Sequence, residues 1–211
     1  MPAAGAKLDA RKSPRQARSR ATVDAILSAA ARVLTREGYA AFTTNRVAEV
    51  AGVSVGSLYQ YFPSKEALIA ALSQRHLDAI AATLRDVPAA MAGRPLPDVI
   101  HALIAANVAA HMIDPKLHAV LSDDVPPMGR LDWRVTFEAE ARHLVRSLLE
   151  HWRDDLAVSD LDLATYVVIR KVEACVHDGV RSRRADMASG ALTDEVARLV
   201  TLYLTGGQAT A

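Results

Sequence analysis

Thr43-Thr44-Asn45-Arg46-Val47-Ala48-Glu49-Val50-Ala51-Gly52-Val53-Ser54-Val55-Gly56-Ser57-Leu58-Tyr59-Gln60-Tyr61-Phe62, followed by Pro63-Ser64-Lys65-Glu66-Ala67-Leu68, reads as two short helices joined by a tight turn, with a longer helix just beyond. Val47, Ala51, Val53 and Leu58 are apolar, Ala48 is small where two helices would cross, and Gly52 sits where the chain must turn sharply. Ser54 carries the hydroxyl that caps the second helix, and Pro63-Ser64 ends that helix and caps the next. This is the helix-turn-helix pattern.

The second helix presents Val55, Gly56, Ser57, Tyr59, Gln60, Tyr61 and, a turn further on, Lys65: small, hydroxyl, amide and basic groups without a carboxylate. Such a face suits DNA, because a helix about 10–12 Å across fits a major groove about 12 Å wide and a residue as small as Gly56 allows close approach. Val55 is placed to touch a thymine methyl, and Ser57, Tyr59, Tyr61 and Lys65 to bond phosphates. Thr43 or Thr44 caps the first helix with its hydroxyl near enough to reach a phosphate as well, and Ser54 at the turn shares that position. Arg46 is the foremost charged contact, whereas Asn45 is equally a local capping residue. A small surface hairpin would satisfy the same pattern.

The run Phe42 to Ala48, with Ala51 to Leu68, resembles the DNA-binding signature of the TetR family of bacterial transcriptional regulators. With the preceding helix, Ala21 to Glu37, the resemblance covers about a third of the chain; the remainder agrees with the family only in length and helical character. It implies an all-helical homodimer whose amino-terminal domains bind an operator and whose carboxy-terminal domains bind a small molecule that weakens DNA binding.

Charge is distributed accordingly. Residues 1–62 hold nine Lys or Arg against four Asp or Glu, a net +5, while residues 63–211 hold 16 against 20, a net −4. A basic front on an acidic body is the footprint of a chain that presents one end to a polyanion. Five of the cations lie in Arg11-Lys12-Ser13-Pro14-Arg15-Gln16-Ala17-Arg18-Ser19-Arg20, which lacks apolar periodicity and reads as a mobile arm, either following phosphates or serving as a solvated tail. Helix one carries Val23, Ile26, Leu27, Ala30, Val33 and Leu34 at spacings of three and four and stops at Gly38; Tyr39 and Phe42 complete a small core.

The expected fold is all-α. A basic flexible arm (residues 1–20) precedes a three-helix helix-turn-helix DNA-binding domain (21–66) and a larger helical ligand-binding and dimerisation domain (67–211). A long helix from Ser64 to about Val87 would couple the two as a lever, or simply connect them. Helices are then expected over about 98–113, 116–121, 131–154, 161–180 and 192–204, with turn-rich 122–129 as the mouth of a pocket. Leu103, Asn107, His111, Trp133, Phe137 and Tyr166 are the candidate effector-pocket residues; Asn107 and His111 share one helix face, but are equally interhelical polar groups, and the aromatics equally core.

Two closing helices are apolar around much of their circumference and need more covering than one domain supplies. The resemblance implies that they form a four-helix bundle with a second subunit, the interface residues being Val168, Val172, Cys175, Val196, Leu199, Val200 and Tyr203. A buried intramolecular hairpin is the alternative. A two-fold dimer would set its recognition helices about 34 Å apart, one DNA turn, or further on a longer operator.

An enzyme is not expected. There is no glycine fingerprint, phosphate loop or nucleophile elbow, and no pair of histidines at metal-ligand spacing on one helical face. Cys175 and His177, two apart on a helix, point in different directions. Glu140, His143 and His151 make only a weak metal set, so neither a metal nor a cofactor is expected. The single cysteine excludes an internal disulfide, the start of the chain lacks a secretory h-region, and charge interrupts every long apolar stretch. The expectation is a cytoplasmic regulator with no membrane association, a repressor released from a palindromic double-stranded DNA operator by an unidentified small molecule. The alternatives are a DNA-binding protein without an effector, or a helical enzyme.

Overall fold

A computed structural model describes residues 14–125 and 131–207; for residues 14–17, 88 and 131–137 the description is of the backbone alone. Within these residues every regular element is a helix. In order they are α1 (Pro14–Ala41), α2 (Thr44–Ala51), α3 (Val55–Tyr59), α4 (Lys65–Arg85), α5 (Val87–Ala90), α6 (Leu96–His111), α7 (Pro115–Asp123), α8 (Leu131–His151), α9 (Leu161–Ser182), α10 (Arg184–Ser189) and α11 (Ala191–Thr205), with a 3-10 turn at Arg153–Asp155. The chain divides into two compact units, Met1–Ile69 and Ala70–Ala211.

In the first unit α1 lays Ile26, Leu27, Ala30, Val33 and Leu34 against α2, and all five are buried with Phe42, Val47, Ala48, Leu58 and Phe62. Gly38 adopts φ 77°, ψ 172°, breaking the helical path of α1 before the chain enters α2. One expectation is corrected here: residues 14–20, assigned to a flexible arm, are helical and belong to α1. Alanines and arginines are good helix formers and Pro is tolerated at the first helical position, so the absence of an apolar stripe did not prevent a helix. Residues 1–13 lie outside the described residues.

The second unit is built on spacings of three and four. Leu96, Ile100, Ile104 and Val108 of α6 meet Val196, Val200 and Leu204 of α11 in one buried cluster, to which α9 adds Leu161, Ala164, Val176 and Val180. At Gly179 of α9 a Cβ would stand 2.7 Å from Leu192 Cδ2, so the Leu192 side chain would have to shift to admit one. On the rim, His101 of α6 pairs with Asp194 of α11 at 2.9 Å. The expected long helix is α4, which runs unbroken to Arg85; Pro88 falls in the first turn of the short α5 that follows. Pro is accommodated in a first turn, where its missing N–H is not required.

Candidate nucleic-acid interface and effector domain

Each turn of the helix-turn-helix is fixed by a side-chain cap. Thr43 Oγ1 accepts from the Arg46 backbone N–H at 3.2 Å and starts α2. Gly52 (φ 68°, ψ 30°) ends it, and the Val53 N–H turns back to the Ala48 carbonyl at 3.1 Å, closing the turn in the left-handed manner that glycine permits. Ser54 Oγ accepts from the Ser57 N–H at 3.1 Å and starts α3, and its hydroxyl also bonds that of Ser57 at 2.8 Å. Ser64 Oγ accepts from the Ala67 N–H at 3.1 Å and starts α4.

On α3, Leu58 is buried and faces the core, while Val55, Gly56, Tyr59 and Gln60 are exposed. Tyr59 is 48% exposed and its hydroxyl lies 3.1 Å from that of buried Thr44, so α2 holds the phenol by its polar tip. Ser57 and Tyr61 are half-buried, and Gly56 has open space where a side chain would stand.

Two of the expected charged contacts are already engaged within the unit. Arg46 gives Nε and Nη2 to Glu37, with distances of 2.8–3.1 Å, and Nη1 to Glu49 at 2.9 Å. Its pKa rises through hydrogen bonding and charge attraction to both carboxylates, and that of Glu37 falls through its bond to Arg46. Glu37 sits on α1, nine residues before Arg46, so only the folded chain reveals the pairing. Lys65 Nζ donates to the Tyr39 carbonyl at 3.0 Å and lies 3.8 Å from the centre of the Tyr39 ring. An ammonium has three donors, so this bond leaves Lys65 with capacity for a phosphate.

In the second unit the structure rearranges the expected assignments. Val196 and Val200, expected at a subunit interface, are each 4% exposed and belong to the core of the unit. Val168, Val172 and Cys175 are partly buried against that core. Leu199 and Tyr203 of α11, also expected at that interface, are exposed, and so are Leu163 and Tyr166 on α9 and Leu202 on α11. Which side of each helix faced inward was ambiguous from a sequence apolar on most sides. Tyr166, expected to wall a pocket, is 56% exposed. Leu103 and Asn107 are half-buried on α6, and Asn107 Oδ1 is buried without a hydrogen-bond partner. The side chains of Trp133 and Phe137, and residues 126–129 of the expected pocket mouth at 122–129, lie outside the described residues; Ser122 and Asp123 of that stretch belong to α7.

A cluster that sequence spacing did not reveal surrounds His111. His111 of α6, His118 of α7 and His177 of α9 each bring a ring nitrogen to within 4.8 Å of the other two. His118 packs edge-on against both others, with ring centres 4.5 Å apart in each case, and His76 of α4 places Nε2 3.1 Å from His118 Nδ1. Burial drives the imidazoles toward the neutral form: it lowers His76, brings His111 to about 4 and takes His118 lower still, where the neighbouring imidazoles add to the effect. These residues come from four different helices, so no local motif could announce them.

The model of the bacterial regulatory proteins of the tetR family matches residues 26–72, and that of the tetracyclin repressor-like C-terminal domain matches residues 95–204. The chain belongs to the TetR family. The second of these matches carries the assignment beyond the DNA-binding unit and across half of the chain. Among relatives, an uncharacterized HTH-type transcriptional regulator of Bacillus subtilis (strain 168), YerO, is 28% identical over 82 residues, 39% of this chain and 28% of that protein's length. Among solved structures, NalD of Pseudomonas aeruginosa, the secondary repressor of the MexAB-OprM multidrug efflux pump, superimposes with a TM-score of 0.73 at 17% identity, covering 91% of this chain and 100% of that one. FadR of Bacillus halodurans, a fatty acid degradation regulator, gives 0.65 at 21% identity, covering 88% and 99%. These likenesses show the TetR fold along nearly the whole chain. TetR-family regulators bind DNA operators and act as dimers with small-molecule effectors. Among the described residues no single helix is long and apolar enough to cross a membrane.

Proposed function

We propose that this TetR-family chain is a cytoplasmic repressor of transcription that binds a palindromic operator as a homodimer and leaves it when a small molecule occupies the second unit. The observation that carries the reading is α3 itself: a capped helix with Val55, Gly56, Tyr59 and Gln60 exposed and no carboxylate on it, in a segment of net charge +5. In this reading Val55 and Gln60 meet base edges, Thr43, Ser54, Ser57, Tyr59, Tyr61 and Lys65 hold phosphates, and buried Thr44 positions Tyr59 from behind. Arg46 serves first to tie α2 to Glu37. The dimer forms through Leu163 and Tyr166 of α9 with Leu199, Leu202 and Tyr203 of α11, large apolar groups that a single chain leaves in water. NalD, of the same fold, is a repressor, which agrees with the repressor reading.

The test is a gel-shift titration on DNA from upstream of the chain's own gene and its neighbours. Wild type should shift one fragment specifically, and Tyr59→Ala should weaken every complex by on the order of tenfold. Val55→Ala should change the preference between operator variants instead. Identical binding by all three proteins places the recognition face elsewhere.

A further inference from the structure

We propose that His111, His118 and His177 form a binding site for a divalent transition-metal ion of the zinc, cobalt and nickel class, with His76 as a positioning residue for His118. The site goes beyond the repressor reading and does not depend on it. Three helices, α6, α7 and α9, each supply one imidazole, and the nitrogens already lie within 4.8 Å of one another. A tetrahedral ion with metal–nitrogen distances of about 2.0–2.1 Å sets its ligand nitrogens about 3.4 Å apart, so each ring needs to shift by less than about 1 Å.

The hydrogen bonds around the cluster select the nitrogens. His111 Nδ1 lies 2.8 Å from the Asn107 carbonyl, which can only accept, so Nδ1 carries the proton and Nε2 keeps a lone pair. That is the arrangement by which metal-binding histidines are oriented, the second ring nitrogen donating to a backbone carbonyl. His118 has the same form when Nδ1 donates to His76 Nε2 at 3.1 Å, leaving its own Nε2 with a lone pair beside Ser122 Oγ at 3.5 Å. His111 and His118 are 6% and 5% exposed, so the ion would be held away from bulk water. Asn107, one turn before His111 on α6, also has a buried Oδ1 with no hydrogen-bond partner. An all-imidazole set favours zinc, cobalt, nickel or copper over magnesium and calcium, which require oxygen ligands.

The experiment uses the full-length, untagged chain stripped of metal. Titration with Co²⁺ should give visible absorption bands that saturate at one ion per chain and are bleached by Zn²⁺, while Mg²⁺ should give none. Zn²⁺ at a hundred times its dissociation constant should raise the melting temperature by about 5–10 °C. His118→Asn and His177→Gln should each abolish the bands, His76→Gln should weaken binding about 10–100-fold, and His143→Gln, on the exposed face of α8, should change nothing. His177 is only half-buried, so its variant keeps the test meaningful if His118→Asn fails to fold; circular dichroism checks both. Absence of stoichiometric binding, or binding unchanged in a folded His177→Gln, overturns the proposal. Because no DNA is present, a failed operator assay leaves this result intact, and the reverse also holds.

Discussion

Lys65 and Arg46 are cations whose charge is used inside the protein. Lys65 bonds the carbonyl of Tyr39 and covers its ring, joining the start of α4 to the end of α1. Its replacement by Ala should lower the stability of the first unit by about 1–3 kcal/mol, the worth of a charge-assisted hydrogen bond with a cation–ring contact. Urea denaturation followed by the fluorescence of the first unit's tyrosines reads this directly, and an unchanged midpoint would mean that the bond contributes nothing. Arg46 faces the opposite situation, held by Glu37 and Glu49. Glu37→Gln removes one carboxylate from the surface proposed to meet phosphates. Operator affinity should rise, and the slope of log K against log salt should steepen by up to about 0.9 for each phosphate gained. Equal slopes for the two proteins would show that Arg46 stays out of reach of DNA.

At the scale of elements, the first unit was legible because its signals are local. Thr43, Gly52, Ser54 and Ser64 each act within a few residues of their own position, and each performs the capping or turning role that its chemistry dictates. The second unit was legible in its helices but not in their faces. α9 and α11 are apolar on too many sides for periodicity to choose between core and surface, and packing placed Val196 and Val200 inside and Leu199 and Tyr203 outside. A charge at Val200 should therefore unfold the second unit, whereas Leu199→Glu should leave the fold intact and give monomers by light scattering. Monomers from a folded Val200→Glu, with Leu199→Glu still dimeric, would reverse that assignment. The α10 helix was missed because Arg184–Ser189 is six residues without an apolar repeat.

The histidine cluster was illegible for a different reason: His76, His111, His118 and His177 converge only in three dimensions. In metal-free protein their burial sets a pH dependence of folding. His111 is neutral when folded, with a pKa near 4, against about 6.5 unfolded, so the unfolded chain binds more protons as pH falls. Its contribution to stability is complete above pH 6.5 and is lost from there down to about 4; His76 and His118, also lowered, act in the same direction. Asp114 opposes the effect at His76. Unfolding free energy should therefore fall over this window by up to about 1.4 kcal/mol per pH unit for each such histidine, and the melting temperature should fall with it. His111→Gln should flatten the fall, and an unchanged slope would contradict the assignment.

For the whole molecule the charge asymmetry and the two compact units give one division of labour. Residues 1–62 carry the net +5 and the reading helix; residues 63–211 carry the net −4, the exposed apolar faces of α9 and α11, and the histidine cluster. In the proposed reading the first unit meets a polyanion, and the second doubles the chain and takes a ligand. The most direct test is the stoichiometry and symmetry of the operator complex, measured by titrating full-length protein into a labelled operator and into one with a single half-site inverted. The account predicts two chains or a multiple of two per operator, loss of at least tenfold in affinity on inversion, and the same loss in Leu199→Glu protein on the intact site. One chain per site, with equal affinity for both DNAs, would contradict it.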